Sequence, residues 1–245
     1  MAKEKEKRGG CFKTILAVLL FIVLGVAVLI GVNIQKLKAD HYDLKISGDY
    51  DDFLSGMEKV KTDIVGDVSR LHLLNIYNGD YETDGSIPVE ATLSVEEIYA
   101  ILNEANKESG PLKNIQIKLA QGNRFEFYCM TNKSIMTVMN KHLGLTEEEN
   151  PVLVKWIGKI LHNKPVYGKG SFELVSSNYV EIRLETVRLG NRVLKEEAVR
   201  IIEGELRNLI NKTASKENGI EIEELSVKNG ALVFKGTLPA EIKGR

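Results

Sequence analysis

A long uncharged segment near the N-terminus constrains this chain more than any other feature. The 22 residues from Thr14 to Gln35 carry no formal charge, and every residue from Ile15 to Val32 is Ala, Val, Leu, Ile, Phe or Gly. Because an α-helix rises about 1.5 Å per residue, about 20 apolar residues span a hydrocarbon core of about 30 Å. The segment therefore predicts a single transmembrane helix over residues 14–35.

The charges that flank this segment predict its orientation. The tail over residues 1–13 carries five cations, whereas the fifteen residues after Gln35 carry three. Positive charge favours the cytoplasmic side of a membrane. A cleaved signal peptide would end in a small-x-small site, and no such site follows Val32. We therefore expect a single-pass protein of the cell membrane, with a cytoplasmic N-terminal tail and an extracytoplasmic C-terminal domain.

Charge and cysteine content limit the partners and the covalent chemistry. The chain has a formal net charge of −1, and its tail carries five cations and two acids, so the remainder carries −4. No stripe of Lys and Arg interleaved with aromatics follows, which argues against nucleic acid as a partner. Cys11 and Cys129 lie on opposite sides of the predicted membrane, so they cannot pair within one chain. We expect Cys129 to be a buried structural thiol.

The remainder divides into a charged connector over residues 36–60 and an extracytoplasmic domain over residues 61–245. A short helix is predicted inside the connector, around Asp51 to Val60. Within the domain, the pair Ser94 and Glu97 forms a capping box that predicts the start of a helix. Helical spacing of apolar residues returns within residues 132–163, and again from Lys195 to about Thr213.

Alternating apolar residues predict three antiparallel hairpins between these helices. The first turns at residues 121–123, the second at Ser177-Asn178, and the third at Asn229-Gly230, which is a strong hairpin signal. The apolar alternation shifts before Val187, as a β-bulge would make it do. The sequence therefore predicts an α+β fold in which a long, curved antiparallel sheet is wrapped on amphipathic helices.

The sequence shows no catalytic constellation. The four histidines have no second His or Cys at metal-ligand spacing, and the run Gly168 to Ser171 lacks the frame of a phosphate loop. The acidic run that starts at Asp80 begins like a calcium loop, but its twelfth position is Ala91 instead of Glu. We expect that run to be a solvated turn. We predict no catalytic residue, no metal, no cofactor and no enzymatic activity.

The apolar faces of the hairpins are the remaining candidate for a site. Each predicted strand is apolar on one side only, so that side must be covered by helices, by a ligand, or by both. The same residues would serve equally well in a packed core, and both interpretations stay open. The candidate lining of an apolar groove consists of Phe125, Phe127, Phe172, Ile182, Leu184 and Phe234.

Two segments carry a resemblance to a known group of proteins. Leu93 to Ile98 reads Leu-Ser-Val-Glu-Glu-Ile at the start of a helix, and Glu224 to Pro239 forms the closing hairpin. With the single N-terminal span, they resemble the small membrane-anchored bacterial cell-envelope proteins of the YpmS and LmeA type over residues 90–240. The resemblance implies a curved sheet around a helix, akin to tubular lipid-binding folds, and a role in handling lipids or envelope polymers. This chain departs from it by a helical insertion over Thr131 to Asn163.

These observations predict a membrane-anchored extracytoplasmic protein that binds an apolar ligand, the acyl chain of a membrane lipid, as a carrier or sensor in cell-envelope maintenance. The alternative is a scaffold or interaction module without catalytic activity, which recruits an envelope protein partner. A groove between the sheet and its helices would favour the first function. A dry interior would favour the second.

Overall fold

A computed structural model describes residues 42–107, 110–132 and 162–245 of the chain. The predicted tail over 1–13 and the predicted span over 14–35 lie outside the described residues, and so does the predicted helical stretch over 132–163, except for its ends. In the part of the chain that is described, no helix is long and apolar enough to cross a membrane. The span over residues 14–35 stays a prediction.

The described residues form an α+β fold with mostly antiparallel strands, as the sequence predicts. The helices are α1 Tyr50–Val60, α2 Leu73–Asn78, α3 Val95–Asn106 and α4 Glu196–Thr213. The strands are β1 Asp63–Val65, β2 Tyr81–Asp84, β3 Ile87–Leu93, β4 Leu112–Ala120, β5 Arg124–Thr131, β6 Pro165–Ser176, β7 Tyr179–Leu189, β8 Arg192–Val193, β9 Glu221–Lys228, β10 Ala231–Leu238 and β11 Glu241–Gly244. Two short 3-10 turns occupy Val68–Leu71 and Lys216–Asn218.

The strands form three sheets, so the prediction of one long sheet is wrong. The largest sheet has the order β4-β5-β6-β7-β8, the second β3-β10-β9, and the third β1-β11-β2, in which β1 and β11 are parallel. The second and third sheets are connected twice along the chain. Strand β2 of the third sheet leads through Gly85 into β3 of the second, and β10 of the second leads through Pro239 into β11 of the third. Three sheets form because side chains, instead of further strands, take the hydrogen bonds at several edges.

All three predicted hairpins are present. The turn residues Asn123, Asn178 and Asn229 adopt left-handed backbone angles, with φ of 53°, 64° and 53°. Asparagine tolerates this conformation better than most residues do. The predicted bulge lies in β7, where Gly170 pairs with Leu184 and Lys169 pairs with Thr186, so that Glu185 is the extra residue.

Two helices close the edges of the five-stranded sheet through asparagine side chains. Asn103 of α3 accepts the N–H of Ile115 on β4 and donates to its carbonyl, both at 2.8 Å. Asn211 of α4 does the same for Val180 on β7, at 2.7 and 3.0 Å. Each amide side chain therefore replaces one residue of a missing neighbouring strand.

The second sheet is joined to the first by the hairpin turns. Asn123 accepts the N–H of Val227 on β9 at 2.8 Å. Asn178 accepts the N–H of Ile222 at 3.0 Å and donates to the carbonyls of Ala214 and Ile220. The free edge of β9 is thus held by two turn residues of the five-stranded sheet, and buried backbone groups keep their partners.

Helix α1, within the segment predicted to be a connector, packs against α3 through a buried carboxylate. Ser94 and Glu97 form the predicted capping box. Glu97 is 4% exposed and accepts hydrogen bonds from Lys59 and Ser55 of α1, each at 2.6 Å. Burial acts to raise the pKa of Glu97, but these hydrogen bonds outweigh burial and lower it. Helix α1 is therefore fixed to the domain.

The acidic run from Asp80 is an extended strand, so the prediction of a turn there is wrong. Residues Tyr81–Asp84 form β2 and pair with β11, and Glu82 forms an ion pair with Arg245 at 3.0 Å. The alternation of Tyr81 and Thr83 with acidic residues is a strand pattern. The adjacent cluster Asn78-Gly79-Asp80 favours a turn, and for this reason the acidic residues that follow it were predicted to belong to a turn as well.

Candidate functional site

The six predicted groove residues all lie in or against one apolar cluster. The cluster is built from seven buried residues, namely Val180, Ile182, Leu184, Val187, Val199, Ala214 and Ile222. Phe125, Phe127, Phe172 and Phe234 pack against it and keep part of their surface exposed. Ile182 and Leu184 are only 3% and 2% exposed, so they form the floor of the site.

Three of the phenylalanines form a row of rings on the apolar face of the five-stranded sheet. The ring centroids of Phe127 and Phe125 lie 6.4 Å apart, and those of Phe125 and Phe172 lie 6.5 Å apart. Tilted aromatic pairs at such distances attract each other. We call Phe125, Phe127 and Phe172 the phenylalanine row. Phe234 lies on β10, where it pairs with Leu225 and Ala91.

Two glycines of β6 make room for this row. Phe127 pairs with Gly168 across the sheet, and a Cβ atom on Gly168 would lie 2.3 Å from the Phe127 ring. Gly170 pairs with Phe125, and a Cβ atom there would lie 2.2 Å from the Arg183 carbonyl oxygen. Distances this short are forbidden by sterics. Gly170 is therefore required by the close approach of the neighbouring backbone, whereas a side chain at position 168 would displace the Phe127 ring from its place over β6.

Two helices and one strand of the second sheet pack against the five-stranded sheet. The backbone of α3 follows β4 and that of α4 follows β7, the outer strands, rather than the central strands β5 and β6. The phenylalanine row lies on β5 and β6. Strand β9 of the second sheet contacts β4 and β6, and Ile222, Leu225 and Phe234 of that sheet belong to the same apolar cluster. The second sheet therefore packs on the apolar face, and the phenylalanine row beside it keeps part of its surface exposed.

The opposite face of the same sheet is polar and contains two cavities. The first has a volume of about 300 Å³ and is lined by Lys118, Ala120, Arg124, Phe125, Glu126, Lys169, Gly170 and Glu185. The second has a volume of about 200 Å³ and is lined by Gly122, Ser171, Phe172, Glu173, Glu181 and Arg183. Sequence analysis missed this surface, although it consists of the alternate positions of the strands that it predicted.

The first described residue is stacked on the polar face. The ring of Tyr42 lies 4.7 Å from the ring of Tyr167, and the Arg188 guanidinium lies 4.7 Å from the Tyr42 centroid. Tyr167 donates its hydroxyl hydrogen to Glu126 at 2.5 Å. Burial and the Glu126 carboxylate raise the pKa of Tyr167 to about 12, so it stays a neutral donor. These contacts fix the start of the domain to β6 and β7.

The thiol of Cys129 is buried, and the described residues hold no cluster of metal ligands. Cys129 is 3% exposed, and burial raises its pKa to about 12, which matches the predicted structural role. In residues 42–107, 110–132 and 162–245, no group of three or more His, Cys, Asp or Glu side chains could hold a metal ion. The two surfaces of the five-stranded sheet are therefore the candidate sites.

Comparisons with known proteins were made for the whole chain. A scan of protein families, a search of curated proteins and a search of solved structures gave no match. The resemblance to the YpmS and LmeA type therefore stays a prediction.

Proposed function

We propose that this protein binds the acyl chain of a membrane lipid on the apolar face of its five-stranded sheet. It would be anchored by residues 14–35 and act outside the cytoplasm, as a carrier or sensor in cell-envelope maintenance. The observation that carries the proposal is the phenylalanine row, whose rings are partly exposed in an apolar cluster that the five-stranded sheet shares with α4 and the second sheet. Large aromatic side chains at a groove supply apolar contact area for such a ligand.

The position of the predicted anchor supports a lipid as the ligand. Six residues, 36–41, separate the predicted span from Tyr42, which is stacked on Tyr167. Even when fully extended, a connection of this length reaches no more than about 25 Å. The domain would therefore stay close to its lipid source, without needing a cationic surface to hold it there.

Hydrophobic burial would drive the transfer of the chain. Each buried methylene contributes about 0.8 kcal/mol, so about ten methylenes contribute roughly 8 kcal/mol before the costs of association. This gross free energy is of the size that micromolar binding requires. The groove needs no catalytic group for this function.

The experiment is native mass spectrometry with lipid extraction on residues 40–245, made without the predicted anchor and purified without detergent. We expect a bound lipid in the wild-type domain, and its loss in Phe172→Glu and Phe234→Glu, because both residues pack against the same apolar cluster and a carboxylate there repels an acyl chain. Circular dichroism checks that each variant folds. The matched control is Val175→Glu, which places the same charge at an apolar residue that is 59% exposed.

Two results would contradict the proposal. A folded Phe172→Glu variant that still takes up lipid would show that the phenylalanine row is not the site. A folded wild-type domain that is empty and refuses added lipids would instead favour the scaffold function, in which the surface recruits an envelope protein partner.

A further inference from the structure

Three neighbouring strands place a hydroxyl between two arginines on the polar face. Arg124 on β5 pairs with Ser171 on β6, and Ser171 pairs with Arg183 on β7. Paired residues point to the same side of a sheet, and neighbouring strands lie about 4.8 Å apart. The two arginine Cα atoms are therefore about 10 Å apart across Ser171. We call Arg124, Ser171 and Arg183 the arginine rung.

The rung has unused positive charge. The side chains of Arg183 and Lys118 are exposed and have no ion-pair or hydrogen-bond partner among the described residues. Arg124 uses only Nε, which donates to the Gln121 carbonyl at 3.2 Å, so its terminal nitrogens are available. Lys118 pairs with Glu126 and lies diagonally across from Arg124, whose own partner on β4 is Ala120. The two arginines are therefore the cations that flank Ser171 directly.

The acids around the rung are mostly engaged elsewhere. Glu126 accepts the Tyr167 hydroxyl at 2.5 Å, and Glu185 forms an ion pair with Lys169 at 3.1 Å. Glu181 is held by Arg207 of α4 at 2.8 Å. Glu173 is the exposed acid of the second cavity, one position further along the face. Among the described residues, none of these carboxylates forms an ion pair with either arginine of the rung.

The two polar cavities lie on either side of the rung. Arg124 lines the larger cavity, whereas Ser171 and Arg183 line the smaller one. A small tetrahedral anion above Ser171 could accept the serine hydroxyl and the forked donors of two guanidinium groups, which match phosphate oxygens well. Lys118 would add a further charge without a directional requirement.

We propose that the arginine rung binds a phosphate group, as a monoester or a diester. This site is on the opposite face of the sheet from the apolar site and goes beyond the lipid-chain function. The phosphate could belong to a phospholipid headgroup or to a soluble molecule, because both present the same tetrahedral anion. The site neither needs nor implies catalysis.

The test is a calorimetric titration of the full chain, held in maltoside micelles at low ionic strength, with inorganic phosphate and with glycerol phosphate. We expect saturable binding that chloride does not imitate. Arg124→Gln and Arg183→Gln should each weaken it at least about tenfold, because each removes charge-assisted hydrogen bonds to the anion. Ser171→Ala should weaken it less, because it removes one neutral donor.

The matched control is Arg192→Gln on β8, an exposed arginine of the same sheet that lies outside the rung. Binding that survives in this control and falls in the rung variants supports the proposal. Equal weakening in all three arginine variants would overturn it, because it would indicate general charge attraction. The absence of saturable binding up to about 10 mM phosphate, a very weak affinity, would also overturn it.

A second arm identifies the source of the phosphate. Micelles doped with phosphatidylglycerol are compared with micelles that contain soluble glycerol phosphate. If the rung variants lose the soluble phosphate and bind the doped micelles as the wild type does, the ligand is a soluble phosphate. If they lose both, the site also accepts a phospholipid headgroup. If Phe172→Glu loses the lipid but binds phosphate as the wild type does, the two faces of the sheet bind their ligands independently.

Discussion

His72 is a buried titratable residue whose hydrogen bond depends on its neutral form. It is 7% exposed and caps α2, where its Nδ1 atom accepts the N–H of Asn75 at 3.3 Å. Burial lowers the pKa of His72 below its usual 6.5, and nearby Asp80 only partly opposes this. A protonated Nδ1 cannot accept a hydrogen bond, so protonation removes the cap as well as burying a charge.

This residue predicts a pH dependence of stability. Since the folded-state pKa of His72 lies below the unfolded value, the unfolded chain binds more protons in between. The stabilising contribution is therefore complete above about pH 6.5 and declines as the pH falls toward the lowered folded-state value. We expect the free energy of unfolding, measured in urea, to fall between about pH 7 and pH 5.

The variant His72→Asn is the matched control for this effect. Asparagine also caps helices through a side-chain acceptor, but it does not titrate in this range. The difference in unfolding free energy between wild type and variant should therefore change with pH. A constant difference from about pH 7 to pH 5 would show that His72 does not contribute to the pH dependence.

At the scale of elements, edge closure by asparagine explains why the five-stranded sheet ends where it does. Val180 is 1% exposed, and its N–H and carbonyl are both bonded to Asn211 of α4. Without this amide, two buried backbone groups would lose their partners. The same arrangement at Asn103 and Ile115 closes the opposite edge.

Replacement of Asn211 by leucine should cost about 2–4 kcal/mol of stability, since it leaves a donor and an acceptor unpaired. The measurements are urea unfolding and hydrogen exchange of the Val180 amide, which should become faster. Asn208→Leu is the control, because Asn208 is an exposed residue of the same helix. An equal loss of stability in both variants would show that the bonds to Val180 are not the cause.

The elements themselves follow from local patterns, but their assembly does not. The Ser94 and Glu97 capping box, the Asn229-Gly230 turn and the shift before Val187 were sufficient to place a helix, a hairpin and a bulge. The edge contacts of Asn103 and Asn211 join residues in different elements, and periodicity carries no signal for them. For this reason one sheet was predicted where three exist.

At the scale of the whole molecule, the five-stranded sheet separates two kinds of surface. The phenylalanine row occupies one face, and the arginine rung with its two cavities occupies the other. Tyr42, near the start of the predicted connector, is stacked on Tyr167 of the polar face. A phospholipid has an acyl chain and a phosphate, and these two faces offer contacts that suit each part separately.

The candidate apolar site was partly predictable because alternation reports which residues share a face. All six predicted residues share one cluster, yet alternation could not tell that Ile182 and Leu184 would be buried while Phe125, Phe127, Phe172 and Phe234 keep exposed surface. Exposure depends on where the helices and the second sheet pack on this face, and that is fixed by tertiary contacts. The arginine rung depends on the register of three strands, which the turns alone do not specify.

The most direct test of lipid binding is photo-crosslinking of the full chain in vesicles that contain a phospholipid with a diazirine on its acyl chain. We predict crosslinks, located by mass spectrometry, in peptides that contain Phe125 and Phe127, Phe172 or Phe234, in addition to the predicted span. Phe172→Glu should remove the crosslinks on β5 and β6 and leave those in residues 14–35 unchanged. Crosslinks confined to residues 14–35 in the wild-type protein would contradict the account.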